Sequence, residues 1–115
     1  MSGKVKTVNL ESGMPTVATA AKLLDFELTT ARNQGVRVLK IIHGYGSSGT
    51  GGRLKSALGK ILAEKREKGV IRAFVPGDKW SIFDQNARNI LEQCNDLRND
   101  SDLENYNNGI TIILL

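Results

Sequence analysis

The sequence predicts an α/β fold with its elements in the order β-α-β-α-β-α-β. Three observations carry that prediction. Short β-branched or alternating runs recur along the chain, longer stretches with apolar residues at helical spacing separate them, and Gly, Pro or Asn-Gly punctuates the junctions.

Taken in order, residues 5–10 alternate polar with apolar positions through Val8 and Leu10, the pattern of a half-buried strand that stops at Ser12-Gly13. Pro15 and Thr16 then form a helix-start signal, and Val17, Ala20, Ala21, Leu24 and Leu28 recur at helical spacing until Gly35 closes a helix of about 16 to 18 residues. Residues 36–42 are a β-branched run interrupted only by Arg37 and Lys40, dense enough in apolar side chains for a strand covered on both faces. After a glycine-rich stretch, Leu54, Leu58, Ile61 and Leu62 mark a second amphipathic helix, with Arg53, Lys55 and Lys60 towards solvent and Gly69 at its end. Residues 70–75 read as a third strand, and Pro76-Gly77-Asp78 as a turn. Ile82, Phe83, Ala87, Ile90 and Leu91 supply the apolar side of a third helix over about residues 84–97. A polar, Asn- and Asp-rich connection leads to Asn108-Gly109 and a closing strand over residues 110–114.

The 115 residues suit one domain, 1–115, long enough for one core and short of two. No run approaches the roughly 18 to 20 apolar residues that span a bilayer, so no membrane partner is expected. The first ten residues lack an apolar run of signal-peptide length, and Cys94 has no second cysteine to pair with, which makes a cytoplasmic compartment the expectation. No feature of the sequence sets an oligomeric state. The net charge of +4 is modest but unevenly spread. Residues 1–75 hold thirteen Lys and Arg against five acids, and the remainder three against seven. A basic segment of this kind suits a polyanion, because each neutralised phosphate releases counterions, and it equally suits a solvated helix face in which Lys60–Lys68 alternates with Glu64 and Glu67.

The most informative segment is Lys40-Ile41-Ile42-His43-Gly44-Tyr45-Gly46-Ser47-Ser48-Gly49-Thr50-Gly51-Gly52-Arg53, set between a strand and a helix. Five glycines in the nine positions 44–52 allow a backbone that turns several N–H groups inwards, while the following helix adds unpaired N-terminal donors and the positive end of its dipole. That combination describes an anion cradle. Gly44, Gly46 and Gly49 match the spacing of the dinucleotide fingerprint, but the next strand ends in Pro76-Gly77 without the acid that holds a ribose. The phosphate loop of nucleotide hydrolases is excluded, since Gly52 and Arg53 stand where Lys and then Ser or Thr are required.

The run Val38-Leu39-Lys40-Ile41-Ile42-His43-Gly44-Tyr45-Gly46, followed by a Ser/Gly/Thr loop, Arg53-Leu54 and an amphipathic helix, resembles the His-Gly-x-Gly segment of small MutS-related (Smr) domains. The resemblance extends over most of residues 5–75 and the last strand. It implies a two-layer α/β sandwich with a four-stranded mixed sheet, similar to the C-terminal domain of translation initiation factor three, in which residues 84–108 are an added helix and loop. It also implies DNA or RNA as partner, gripped by Lys40, Gly44, Tyr45, Gly46, Ser47, Ser48, Gly49, Thr50, Gly51, Gly52, Arg53 and Lys55. Smr nucleases generally carry Leu-Asp-x-His at the end of the first strand. Here the strand reads Val8-Asn9-Leu10-Glu11, so that Asn9 takes the aspartate position and Glu11 the histidine position; aligned on the helix instead, Glu11 falls at the aspartate.

The catalytic candidates are therefore His43, Glu11 and Asn9. A carboxylate can orient and recharge an imidazole, so His43 with Glu11 is a conceivable acid–base pair for phosphodiester cleavage. Asn9 cannot take a proton as aspartate does. Three readings stand together: a nucleic-acid-binding module whose chemistry is lost, an endonuclease, and a binder of a nucleotide or small phosphorylated ligand. No cofactor is expected. One cysteine and one histidine exclude a Cys/His metal site, and a nuclease would admit Mg²⁺ carried by carboxylate and phosphate oxygens. Cys94 reads as a buried structural thiol. Tyr45 and Trp80 are candidates to stack on bases, Trp80 equally a plug at the edge of the core.

Overall fold

The computed structural model describes residues 4–13, 15–45 and 50–115. Its elements are β1 (Lys4–Asn9), α1 (Val17–Asn33), β2 (Val36–Ile42), α2 (Thr50–Glu67), β3 (Ala73–Pro76), α3 (Gln85–Gln93) and β4 (Ile110–Leu114), with short 3₁₀ turns at Gly77–Lys79 and Asn95–Asn99. The strands form one mixed sheet in the order β1-β2-β4-β3. β1 runs parallel to β2, and β4 lies antiparallel between β2 and β3.

Local sequence accounts for the helix boundaries. The Thr16 hydroxyl accepts from Thr19 N–H at 3.2 Å and caps α1, whose residues Ala20, Leu24, Leu28 and Ala31 are buried. α2 buries Leu54, Leu58 and Leu62 on the same side of the sheet, where they meet Leu39, Ile41 and Ile113. Its C-terminus closes on Gly69, which donates to the Arg66 carbonyl while Val70 donates to that of Lys65 at 2.8 Å. Those two bonds explain why β3 begins at Ala73 and not at Val70: the intervening backbone is spent on ending the helix.

The opposite face of the sheet is covered as well. Val38, Val75, Ile110, Ile112 and Leu114 pack with Trp80, Ala87, Ile90, Leu91, Cys94 and Leu97. A register irregularity carries β2 onto both faces: Lys4 pairs with Val36 and Val5 with Val38, so Arg37 is skipped and Val36 and Val38 enter different cores. Both central strands are thus buried on two sides, which is why their sequences are nearly continuous in apolar residues.

α3 is shorter than its apolar spacing suggests. Asp84 caps it by accepting from Ala87 N–H at 3.0 Å, and Cys94, with φ −144°, ends it. Ile82 and Phe83 consequently lie outside the helix and are exposed, Phe83 at 83%, a correction to their expected place on its buried side. Among the described residues no helix is long and apolar enough to cross a membrane.

Candidate nucleic-acid interface

The segment that follows β2 is held by the turn that precedes β4. The N–H groups of His43 and Gly44 both donate to the Gly109 carbonyl at 3.0 Å, and Gly109 N–H in turn donates to Asn107 Oδ1 at 2.8 Å. Gly44 has φ +76°, and a Cβ there would stand 1.6 Å from Glu11 Oε2. The positive φ favours glycine at this position, and the exposed Glu11 side chain would have to swing away from any Cβ placed there. Glu11 and Gly44, far apart in the chain, are thereby brought into contact at the C-terminal ends of the two parallel strands.

His43 is fully buried. Its Nδ1 lies 2.9 Å from the Gly44 carbonyl, which can only accept, so Nδ1 carries the proton and Nε2 accepts from Thr111 Oγ1 at 2.9 Å. Burial pushes its pKa below the ordinary value, and the Lys55 ammonium adds to the effect, outweighing the Gly44 carbonyl and Glu11, which act the other way. The ring is a neutral strut between β2 and β4. Asn9 is also occupied: its Oδ1 accepts from the N–H groups of Glu11 and Ser12 at 2.8 and 3.0 Å, forming the Asx turn that ends β1.

Two expected phosphate ligands have counter-charges of their own. Lys40 is only 8% exposed, and its ammonium is held by Asp100 at 2.9 Å and by Asp102. Burial alone would lower its pKa, but the two carboxylates hold it above the ordinary value. Asp100 also accepts from Trp80 Nε1 at 3.0 Å, which places the tryptophan in the core and away from any base. Lys55, expected towards solvent, donates to Asp78 at 2.9 Å and to Asn108 at 2.8 Å, and its ammonium stands 5.3 Å from the centre of the Tyr45 ring. The Lys55 bond is the main reason the Asp78 carboxyl titrates below its usual range.

The remaining expectations divide. Tyr45 is exposed at 58%, and Arg53 is exposed on the first turns of α2. Thr50, Gly51 and Gly52 open that helix. Gly46, Ser47, Ser48 and Gly49 lie outside the described residues. An open groove of about 600 Å³ beside Gly44 is lined by Thr7, Glu11, Lys40, Asp102 and Asn107, among others. Asp78, Asp100, Asp102, Asn107 and Asn108 escaped the sequence reading because they sit in turns and in a stretch whose polarity reads as plain connection; only Asn108-Gly109, directly before the last strand, signalled a structured turn. Among the described residues no three His, Cys, Asp or Glu side chains converge as metal ligands.

A four-stranded mixed sheet whose second strand runs through His43-Gly44 into a basic helix defines a small α/β domain with one specialised strand end. The chain belongs to the Smr domain family, whose model matches residues 12–82. Its structure is similar to the Smr domain of Thermus thermophilus MutS2, with a TM-score of 0.59 and 23% sequence identity over 96% of each chain. At that identity the likeness establishes the fold. No curated protein matches the chain in sequence.

Proposed function

We propose that this domain binds DNA or RNA through phosphate contacts made where the chain passes from His43 into α2, and that it acts as a binding module and not as a nuclease. The observation that carries the reading is the 18-residue helix that begins at Thr50, shortly after Gly44 and Tyr45 in sequence, and exposes Arg53 and Lys60. Neither cation forms an ion pair among the described residues. Helix N-terminal N–H groups and unpaired cations are the elements of a phosphate site. Membership of the Smr family supports a nucleic-acid partner.

The case against cleavage rests on the two motif positions. A general acid–base must reach the proton it moves, and His43 has both ring nitrogens engaged inside the domain. Asn9 uses its side-chain oxygen on the backbone and offers no carboxylate. Glu11 alone of the three reaches the groove.

The test is incubation with labelled single- and double-stranded DNA and RNA, with and without Mg²⁺, reading binding and cleavage together. Binding should weaken as salt rises, with a slope of about three to five phosphate contacts, and Arg53→Ala with Lys60→Ala should weaken it alike across sequences. Absence of binding at low salt overturns the reading. Cleavage that His43→Ala abolishes in a folded protein makes the domain a nuclease, and binding of a mononucleotide but of no polymer makes it a small-ligand protein.

A further inference from the structure

The outward side of α2 carries a second groove, of about 540 Å³, that none of the motif positions explains. Tyr45 forms one wall. The rest comes from Gly52, Lys55, Ser56, Gly59, Lys60 and Ala63, residues that helical spacing aligns along one side of α2. Gly59 sits inside the helix, where glycine is among the poorest formers, and a Cβ placed on it would meet nothing within 4 Å. The helix therefore has a low, open floor at the point where a larger side chain would occupy the groove.

The walls around that floor are matched to one chemistry. Tyr45 keeps more than half of its surface exposed, leaving ring area for a flat partner. Lys55 stands over the same ring and Lys60 borders the floor, so the groove is apolar at its base and cationic at its rim. No acidic side chain lines it, in contrast to the groove on the other side of Gly44, which Glu11 and Asp102 line. A flat aromatic ligand carrying negative charge, the chemistry of a nucleotide unit in a single strand, suits such a surface, because every base has a face to stack and its phosphate meets Lys60, the lysine of the rim that no carboxylate among the described residues holds. A continuous duplex keeps its bases stacked on one another and offers no such face.

We infer that the groove formed by Tyr45, Ser56, Gly59, Lys60 and Ala63 receives an unstacked base of a single-stranded nucleic acid, with the adjoining phosphate on Lys60. The inference rests on the nucleic-acid reading above and adds to it the strand state of the ligand and a site for one base.

The experiment compares a labelled 12-nucleotide dT single strand with a blunt duplex of mixed sequence and equal length, at one low salt concentration, for the wild-type chain and two variants. Gly59→Leu fills the floor; it should raise Tm, since leucine is the better helix former, and weaken single-strand binding by about tenfold or more while changing duplex binding less than about twofold. Tyr45→Leu removes the ring and should weaken single-strand binding by a similar factor. A folded Gly59→Leu protein that binds the single strand as tightly as wild type overturns the inference and leaves the nucleic-acid reading standing. Equal losses on single strand and duplex also overturn it, because the groove then follows phosphates and not a base. A wild-type chain that binds neither polymer removes both readings.

Discussion

The neutral imidazole of His43 and the hydroxyl of Thr111 join the end of β2 to the start of β4 by a buried hydrogen bond of 2.9 Å. The second ring nitrogen closes on the Gly44 carbonyl, so the residue that looks most like a reacting group in the sequence instead holds the strand ends in register. Its placement carries a pH signature.

Burial holds the folded-state pKa of His43 below its ordinary value of 6.5. The unfolded chain therefore takes up a proton near that value, while the folded chain resists until a lower pH. The stability contributed by this difference is fully present above about pH 6.5 and is lost as pH falls from there towards the folded pKa. His43 is the only histidine, so the difference in Tm slope between about pH 7 and 5.5 on its replacement isolates its contribution. Tm should fall across that range in the wild-type chain and vary much less in His43→Gln. Equal slopes in the two proteins would show that the imidazole is not the buried neutral group described.

Lys40 makes a prediction about stability. Its ammonium is buried against Asp100 and Asp102, and Asp100 holds the Trp80 indole. Removing one partner of a buried ionic group leaves the others uncompensated, so Lys40→Met should cost about 3 kcal/mol, the lower end for such sites because Asp102 is partly exposed. Denaturant unfolding followed by the emission of Trp80, the single tryptophan, measures both the loss and the altered indole environment. Adding Asp100→Asn and Asp102→Asn to the lysine variant should recover part of the loss. A variant as stable as wild type would mean that the ion cluster contributes nothing net.

Lys55 makes one about binding. Asp78 neutralises it at 2.9 Å, in competition with any phosphate brought to the start of α2. The pair is partly exposed, so its direct worth to the fold is small, within about 1 kcal/mol. Asp78→Asn should therefore leave Tm nearly unchanged, tighten nucleic-acid binding several-fold at low salt and steepen the salt dependence by about one ion. Weaker binding would mean that Asp78 acts by positioning Lys55 and not by occupying it.

The order of elements was legible because each is bounded locally: Thr16 before α1, Gly35 and Gly69 after the two long helices, Asn108-Gly109 before β4. The strand that ends at Ile42 and the basic helix that begins at Thr50 were legible for the same reason. Charge pairing was not. Lys40 meets Asp100 across 60 positions and Lys55 meets Asp78 across 23, and neither distance leaves a trace in local pattern. The late start of β3 and the early end of α3 were hidden for a related reason, because hydrogen bonds that end or cap a helix compete with apolar periodicity for the same residues. The burial of His43 follows from the sheet order, which inserts β4 beside β2 and brings Thr111 to the ring.

Positions 9 and 11 offer a direct test of whether this fold can be made to cleave. Asn9 accepts two backbone N–H bonds through Oδ1, a task that an aspartate carboxylate performs equally well, so Asn9→Asp should preserve the Asx turn. Glu11 is exposed at the mouth of the groove beside Gly44, so Glu11→His should place there a solvated imidazole able to exchange protons near neutral pH, which the buried His43 is not. The substitution also removes a negative charge from a groove already lined by Asp102, easing the approach of a phosphodiester. If Asn9 takes the aspartate position and Glu11 the histidine position, the two changes together rebuild the Asp-x-His pair that the family resemblance implies at the end of the first strand. Positioned acid–base help is worth about 10² to 10⁴ in rate. The double variant should therefore cut labelled RNA or DNA at least about tenfold faster than the wild-type chain, with each single change well below the pair. A folded double variant that binds but does not gain activity would mean either that the site has diverged beyond positions 9 and 11 or that the alignment on the helix, which puts Glu11 at the aspartate, is the correct one.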